Sequence, residues 1–216
     1  MISAVIFDLD GTVLANEDEY GVAFTRVLKK LGKNADSDYP HIGGIGVREN
    51  WPQLLSKYKI RTKKTVEELT KETQDAYLNQ LNKVELKPGF VLFAGDLREN
   101  GIKTALATSN DWWIVDEVFN ALNLNNFFDV MTTGEEVASK KPAPDLFLIT
   151  ADKLGIAPEE CLVIEDSKAG IDAAHSAGMK TIGIARDDEH AHTLKGANEI
   201  VFNYSELSFA RISNLV

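Results

Sequence analysis

The sequence of 216 residues predicts an α/β fold. It reads as a Rossmann-like, doubly wound parallel sheet with an all-helical insert near its start. Three observations carry this. Short apolar runs of strand length recur along the chain, each closed by polar or glycine residues. From residue 86 onward these runs alternate with segments of helical periodicity, the pattern of a sheet wound on both faces. Residues 15–84 break the rhythm, with helical spacing and no clear buried strand.

Ile2-Ser3-Ala4-Val5-Ile6-Phe7 is the first predicted strand, ending abruptly in Asp8-Leu9-Asp10-Gly11-Thr12. A buried strand closed by acidic residues and glycine is how a parallel sheet delivers side chains to its carboxyl edge. In the insert, Tyr20, Phe24, Val27, Leu28 and Leu31 predict a helix over 17–31. Trp51, Leu54, Leu55 and Tyr58 predict one over 48–58, and Val66, Leu69, Thr73, Tyr77 and Leu81 one over 65–81. Three further helices have start and stop signals. Residues 90–99 follow Pro88-Gly89 and stop at Asn100-Gly101; 145–154 follow Pro142-Ala143-Pro144 and stop before Gly155; 169–177 stop at Gly178. A helix over 112–122 has apolar Trp112, Val115, Val118, Phe119 and Leu122, which puts at least one of Trp112 and Trp113 in its core. The remaining strands are expected at 104–107, 129–131, 162–164, 181–184 and 199–202. The division that follows is an α/β core, residues 1–14 with 85–216, and a helical insert, residues 15–84.

Composition narrows the classes of function. With 23 Lys+Arg against 33 Asp+Glu the formal net charge is −10, which repels a phosphate backbone and argues against nucleic acid as a partner. The basic stretch Lys57, Lys59, Arg61, Lys63 and Lys64 reads as a solvated helix end or loop. A single cysteine, Cys161, excludes an intrachain disulfide framework and sits in an apolar run, as a buried inert thiol would. No apolar run approaches the roughly 20 residues of a membrane span. A cytoplasmic protein with no membrane partner, a monomer or weak dimer, is the expectation.

The chemistry gathers at predicted strand ends. Asp8 and Asp10 close the first strand, and Glu165-Asp166-Ser167 closes the one over 162–164. In an open α/β sheet that edge holds the ligand. Adjacent carboxylates call either for a hard cation between them or for a proton on one of them. Magnesium takes few carboxylates, keeps waters and usually contacts a substrate phosphate as well. A third strand ends in Thr108-Ser109-Asn110, hydroxyls and backbone N–H groups just before a helix, which suits a phosphate oxygen. Lys141, in the turn Lys140-Lys141-Pro142-Ala143-Pro144, adds a cation. His190-Ala191-His192 lacks a third ligand and reads as a solvated loop.

Together, Asp8-Leu9-Asp10-Gly11-Thr12, Thr108, Lys141-Pro142 and Glu165-Asp166 resemble, in order and context, the four motifs of the haloacid dehalogenase-like superfamily. The longer strings Lys141-Pro142-Ala143-Pro144-Asp145 and Glu165-Asp166-Ser167 through Gly178-Met179 look like its β-phosphoglucomutase and phosphoglycolate phosphatase branch, which carries a helical cap after the first motif. The resemblance implies a Mg²⁺-dependent phosphatase acting on a small phosphorylated metabolite through an aspartyl-phosphate. Asp8 would be the nucleophile, and Asp10 the acid that protonates the leaving alcohol and then the base for water. Mg²⁺ would be held by the Asp8 carboxylate, the Asp10 carbonyl and Asp166, with Glu165 direct or through water. Thr108 and Lys141 would hold the phosphoryl oxygens, with Lys140 the competing lysine. Leu9, Ser109 and Asn110 would bind substrate, and Arg48 would correspond to a cap arginine. A true dehalogenase lacks the second aspartate.

The cap leaves alternatives open. A phosphosugar mutase of this branch carries a His just after the Glu-Tyr near the cap's start, whereas Glu19-Tyr20 is followed here by Gly21 and the next His is His41. That favours hydrolysis over a mutase, with a non-catalytic phospholigand binder as a third reading. Gly43-Gly44-Ile45-Gly46 reads either as a loop over the site or as a turn between helices, and Asn16, Glu17 and Tyr20 as facing its mouth.

Overall fold

A computed structural model describes residues 1–215. Its main sheet has six parallel strands: β1 (Ala4–Phe7), β4 (Lys103–Ala107), β5 (Val130–Thr132), β6 (Cys161–Glu165), β7 (Lys180–Ile184) and β8 (Glu199–Val201). Their spatial order is β5-β4-β1-β6-β7-β8. The chain moves outward from β1 in both directions, so a crevice opens at the carboxyl end of β1.

Alternation along β1 divides the core. Val5 and Phe7 pack on one face with Leu106, Leu162 and Ile164; Ala4 and Ile6 pack on the other with Ala105, Val163 and Phe147. The first face is covered by α4 (Phe90–Glu99) and α5 (Trp112–Leu122), the second by α6 (Asp145–Leu154) and α7 (Lys168–Ser176). Phe7 meets the Phe90 ring edge-on at 5.5 Å, and Tyr204 closes the same cluster while its hydroxyl donates to Thr12 O at 3.2 Å. The first strand is thereby tied to the end of the chain.

Three helices lie between β1 and the rest of the sheet: α1 (Glu17–Lys30), α2 (Val47–Lys57) and α3 (Val66–Leu78). Phe24, Val27, Leu28, Trp51, Leu54, Leu69 and Tyr77 are buried among them. Trp51 is fully enclosed, and its indole N–H donates to Thr73 Oγ1 at 3.1 Å. A two-stranded antiparallel ribbon, β2 (Leu14–Ala15) with β3 (Glu85–Leu86), joins the chain entering this unit to the chain leaving it. Two residues per strand carry no readable period, so the ribbon has no sequence signal.

Two expectations are corrected. Neither tryptophan is core: Trp112 is 48% and Trp113 36% exposed, and the buried face of α5 is Ile114, Val115, Val118 and Phe119. Trp112 is the first residue of the helix, and its N–H is taken by the Glu135 carboxylate at 2.7 Å. His190 and His192 lie not in a loop but in a short helix, α8 (Asp188–Thr193), capped by the Asp187 side chain. The basic stretch of 57–64 is solvated, with Lys57 paired to Asp36 at 2.9 Å. Cys161 is buried, its thiol pushed up to about 11 by burial. Among the described residues no helix is long and apolar enough to cross a membrane.

Candidate active site

Register explains why distant residues meet. Phe7 stands beside Leu106 on one side and Ile164 on the other, so the residues one step further, Asp8, Ala107 and Glu165, stand abreast at the carboxyl edge of the sheet. Asp8 N–H is still held by Ile164 O at 3.1 Å. Asp8, Glu165 and Asp166 are buried and offer carboxylate oxygens within 4.8 Å of one another. Lys141 Nζ, itself buried, reaches in from the loop before α6 and contacts Asp8 Oδ1 at 2.5 Å, Glu165 Oε1 at 2.6 Å and Ala107 O at 3.2 Å. Lys140 points elsewhere, toward Glu49 and Asp111.

Two glycines are required by close approach. Gly11 turns the chain with φ +73°, and a Cβ there would lie 2.1 Å from Asp166 Oδ2. Gly170 in α7 leaves room for the Glu165 carboxyl, which a Cβ would meet at 1.9 Å.

The charges do not balance within the protein. Asp8 and Glu165 share the one ammonium of Lys141, Asp10 and Asp166 stand beside them without a cation of their own, and Glu17 stands against Asp166. Burial pushes Asp8 upward, opposed by Lys141 and reinforced by Glu165 and Asp10. Burial also pushes Asp166 upward, reinforced by Glu17 and Glu165. A buried pocket with this excess of carboxylates fits a small divalent cation. Glu165 is the least free of the set: Oε1 is on Lys141, and Oε2 accepts from Ser167 N–H at 2.9 Å and Ser167 Oγ at 2.8 Å.

Asp10 faces the cleft beside this cluster. Burial raises its carboxyl to about 6, against the opposing hydrogen bonds of Asn16 and Asn110, each donating through Nδ2 at 2.6 Å. A carboxyl poised there can hold or release a proton near neutrality. Thr108 is buried with its Oγ1 accepting from Asn110 N–H at 3.2 Å, and Ser109 Oγ donates across to Gly44 O at 2.8 Å.

The cleft runs from Asp8, Asp10, Thr108, Ser109 and Asn110 to the helical unit. There its wall is Asn16, Glu17, Tyr20, Phe24 and His41, with the glycine run at 43–46. Asn50 braces that run: its amide accepts from Ile42 N–H at 2.7 Å and donates to Ile42 O and Gly46 O. Two expected substrate contacts are not brought here. Arg48 is exposed, paired with Glu67 at 2.6 Å, and faces a separate groove with Lys71 and Trp113. Leu9 is fully enclosed in the core, and its carbonyl accepts from the N–H groups of Val13 and Leu14. Asn50 and Tyr77 carried no readable signal, because each also fits a plain helix pattern.

This fold with this edge defines a class, and sequence comparison agrees with it. A family model for haloacid dehalogenase-like hydrolases matches residues 5–184. A phosphorylated carbohydrates phosphatase of Thermotoga maritima is 35% identical over 187 residues, covering 84% of each chain. A phosphoglycolate phosphatase of Aquifex aeolicus is 32% identical, covering 82% of each. A crystal structure of β-phosphoglucomutase from Clostridium difficile superposes with a TM-score of 0.88 at 28% identity, covering 100% of this chain and 97% of that one. The chain belongs to the haloacid dehalogenase-like hydrolase family. Within that family it is a hydrolase of phosphate esters.

Proposed function

We propose that this hydrolase cleaves a small phosphomonoester, of sugar-phosphate or phosphoglycolate type, through an aspartyl-phosphate at Asp8 with Mg²⁺ as its cation. The observation that carries the reading is the convergence of Asp8, Glu165, Asp166 and Lys141, with Asp10 at its rim, at the carboxyl edge of adjacent strands. The names of the relatives support the substrate class, since one is named for phosphorylated carbohydrates and another for phosphoglycolate.

In this mechanism an Asp8 oxygen attacks phosphorus. A P–O bond to Asp8 forms as the P–O bond to the alcohol breaks, and the Asp10 proton passes to the departing oxygen. Water then attacks the aspartyl-phosphate, Asp10 takes its proton, and phosphate leaves with Asp8 restored. Lys141 and the Thr108 corner hold the phosphoryl oxygens throughout. Asp8, Asp166 and the Asp10 carbonyl would hold Mg²⁺, with Glu165 behind them orienting Lys141. When bound, Mg²⁺ would neutralise the repulsion between the Asp8 carboxylate and the incoming phosphate dianion.

The test is Mg²⁺-dependent phosphate release from a panel of phosphorylated metabolites, comparing the unaltered chain with Asp8→Asn. Loss of more than about a thousandfold in kcat is expected, as for removal of a nucleophile. Retained turnover in Asp8→Asn, or no release from any phosphomonoester, sinks the reading. A β-hexose 1-phosphate separates hydrolysis from mutase chemistry, because free sugar appears in the first case and the 6-phosphate in the second.

A further inference from the structure

We propose that Asn16 and Tyr77 are positioning residues that aim the Asp10 carboxyl at the leaving oxygen. This rests on the reading of Asp10 as acid and base. Asn16 stands just before α1, where an asparagine ordinarily turns its side-chain oxygen onto the first free N–H groups of the helix. It makes no such bond. Its Oδ1 instead accepts from Gly11 N–H at 3.0 Å, while Nδ2 donates to Asp10 Oδ1 at 2.6 Å and to Tyr77 Oη at 2.7 Å. A backbone donor on one side and two oxygens on the other fix which end of the amide carries the hydrogens. Both of those hydrogens are used, and Asn16 and Tyr77 are fully enclosed.

The second Asp10 oxygen is held in the same way. Asn110 Nδ2 donates to Asp10 Oδ2 at 2.6 Å, and Asn110 Oδ1 accepts from Tyr20 Oη at 3.4 Å. The Tyr20 and Tyr77 rings lie stacked, centroids 4.0 Å apart and 7° from parallel. Two amides therefore grip the carboxyl, and both lean on one tyrosine pair contributed by α1 and α3. A local rule broken at a fully buried position, with the amide turned from its helix to donate to a carboxyl, marks a functional demand on that position. Tyr77 does not line the cleft, and its hydroxyl reaches Asp10 only through Asn16. Proton transfer is sensitive to small misplacement of the donor.

Two aryl esters of nearly the same shape test this with Mg²⁺ present. Phenolate leaves as a strong base and needs the proton; 4-nitrophenolate is stabilised and needs it far less. The ratio kcat/KM reports the step that forms the aspartyl-phosphate, where the acid works. Tyr77→Phe, which keeps the ring and its stack, is expected to lower kcat/KM for phenyl phosphate about tenfold and for 4-nitrophenyl phosphate less than about twofold. Asn16→Ala is expected to show the same preference, and Asp10→Asn a larger one. Equal losses on both esters, or no loss on either, overturn the proposal; Asn16→Ala carries the test if Tyr77→Phe does not fold. No ester preference in Asp10→Asn overturns the acid role itself, whereas a preference there but in neither positioning variant overturns only the positioning.

Discussion

His41 is the half-buried group on the cleft wall whose ring nitrogen lacks a partner. Its ring stacks on Phe24 at 4.7 Å, and its Nδ1 is buried without a hydrogen-bond partner. Burial lowers its pKa to about 4, with Arg186 acting in the same direction and Glu17 against it. The folded chain thus holds a neutral imidazole where the unfolded chain, titrating near 6.5, takes up a proton. Between those values the unfolded state binds more protons, so stability is full above pH 6.5 and is lost as pH falls toward 4. The loss is at most about 3.4 kcal/mol at 1.36 kcal/mol per pKa unit. Denaturant melts from pH 7 to 4 should show His41→Phe with a flatter acid limb than the unaltered chain; parallel limbs would remove His41 from the account. The residue scale is also where sequence reading went furthest. Asp8, Asp10, Lys141, Glu165 and Asp166 stand in strings whose order alone marks their neighbourhood, whereas Arg48 had only a position near a cap helix to recommend it and lies elsewhere.

At the scale of elements, helix ends were the most legible feature. The bounds of α4, α5 and α6 coincide with the expected 90–99, 112–122 and 145–154, because Gly89, Asp111, Pro144 and the glycine or asparagine past each last turn are local signals. The helix α3, which carries Tyr77, opens on a capping box. Glu68 N–H donates to Thr65 Oγ1 at 3.2 Å, and Thr65 N–H donates to the Glu68 carboxylate at 2.7 Å. Thr65→Ala should cost about 1 kcal/mol, the usual worth of such a cap. A urea titration should place its midpoint correspondingly lower, while Thr65→Ser should stay near the original. An unchanged midpoint for Thr65→Ala would mean that packing of Leu69 and Tyr77 alone holds the start of α3. The misassigned tryptophans belong to this scale too. Periodicity put Trp112 on the apolar stripe, but a first-turn residue has no preceding turn to cover it.

For the whole molecule, the aromatic cluster around Phe7 joins the earliest strand to α4 and to the far end of the chain through Tyr204. Phe90 is fully enclosed there, also against Phe127 at 5.3 Å. Phe90→Ala should destabilise the fold by about 3–5 kcal/mol, the range for an aromatic truncated in a core that relaxes only in part. Guanidinium unfolding measures it, and a change below about 1 kcal/mol would show that the cluster repacks freely. By itself the sequence determined the alternation of strands and helices, the helical interruption after the first strand and the acidic strand ends, since these follow from periodicity, caps and side-chain type within short windows. Only the tertiary structure decided the strand order that sets Asp8 abreast of Glu165, the β2–β3 ribbon, the exclusion of Arg48 from the cleft and the turning of Asn16 away from its helix toward Asp10. Each of those depends on which groups meet in the folded chain, a question on which the periodicity and caps of a short window carry no information.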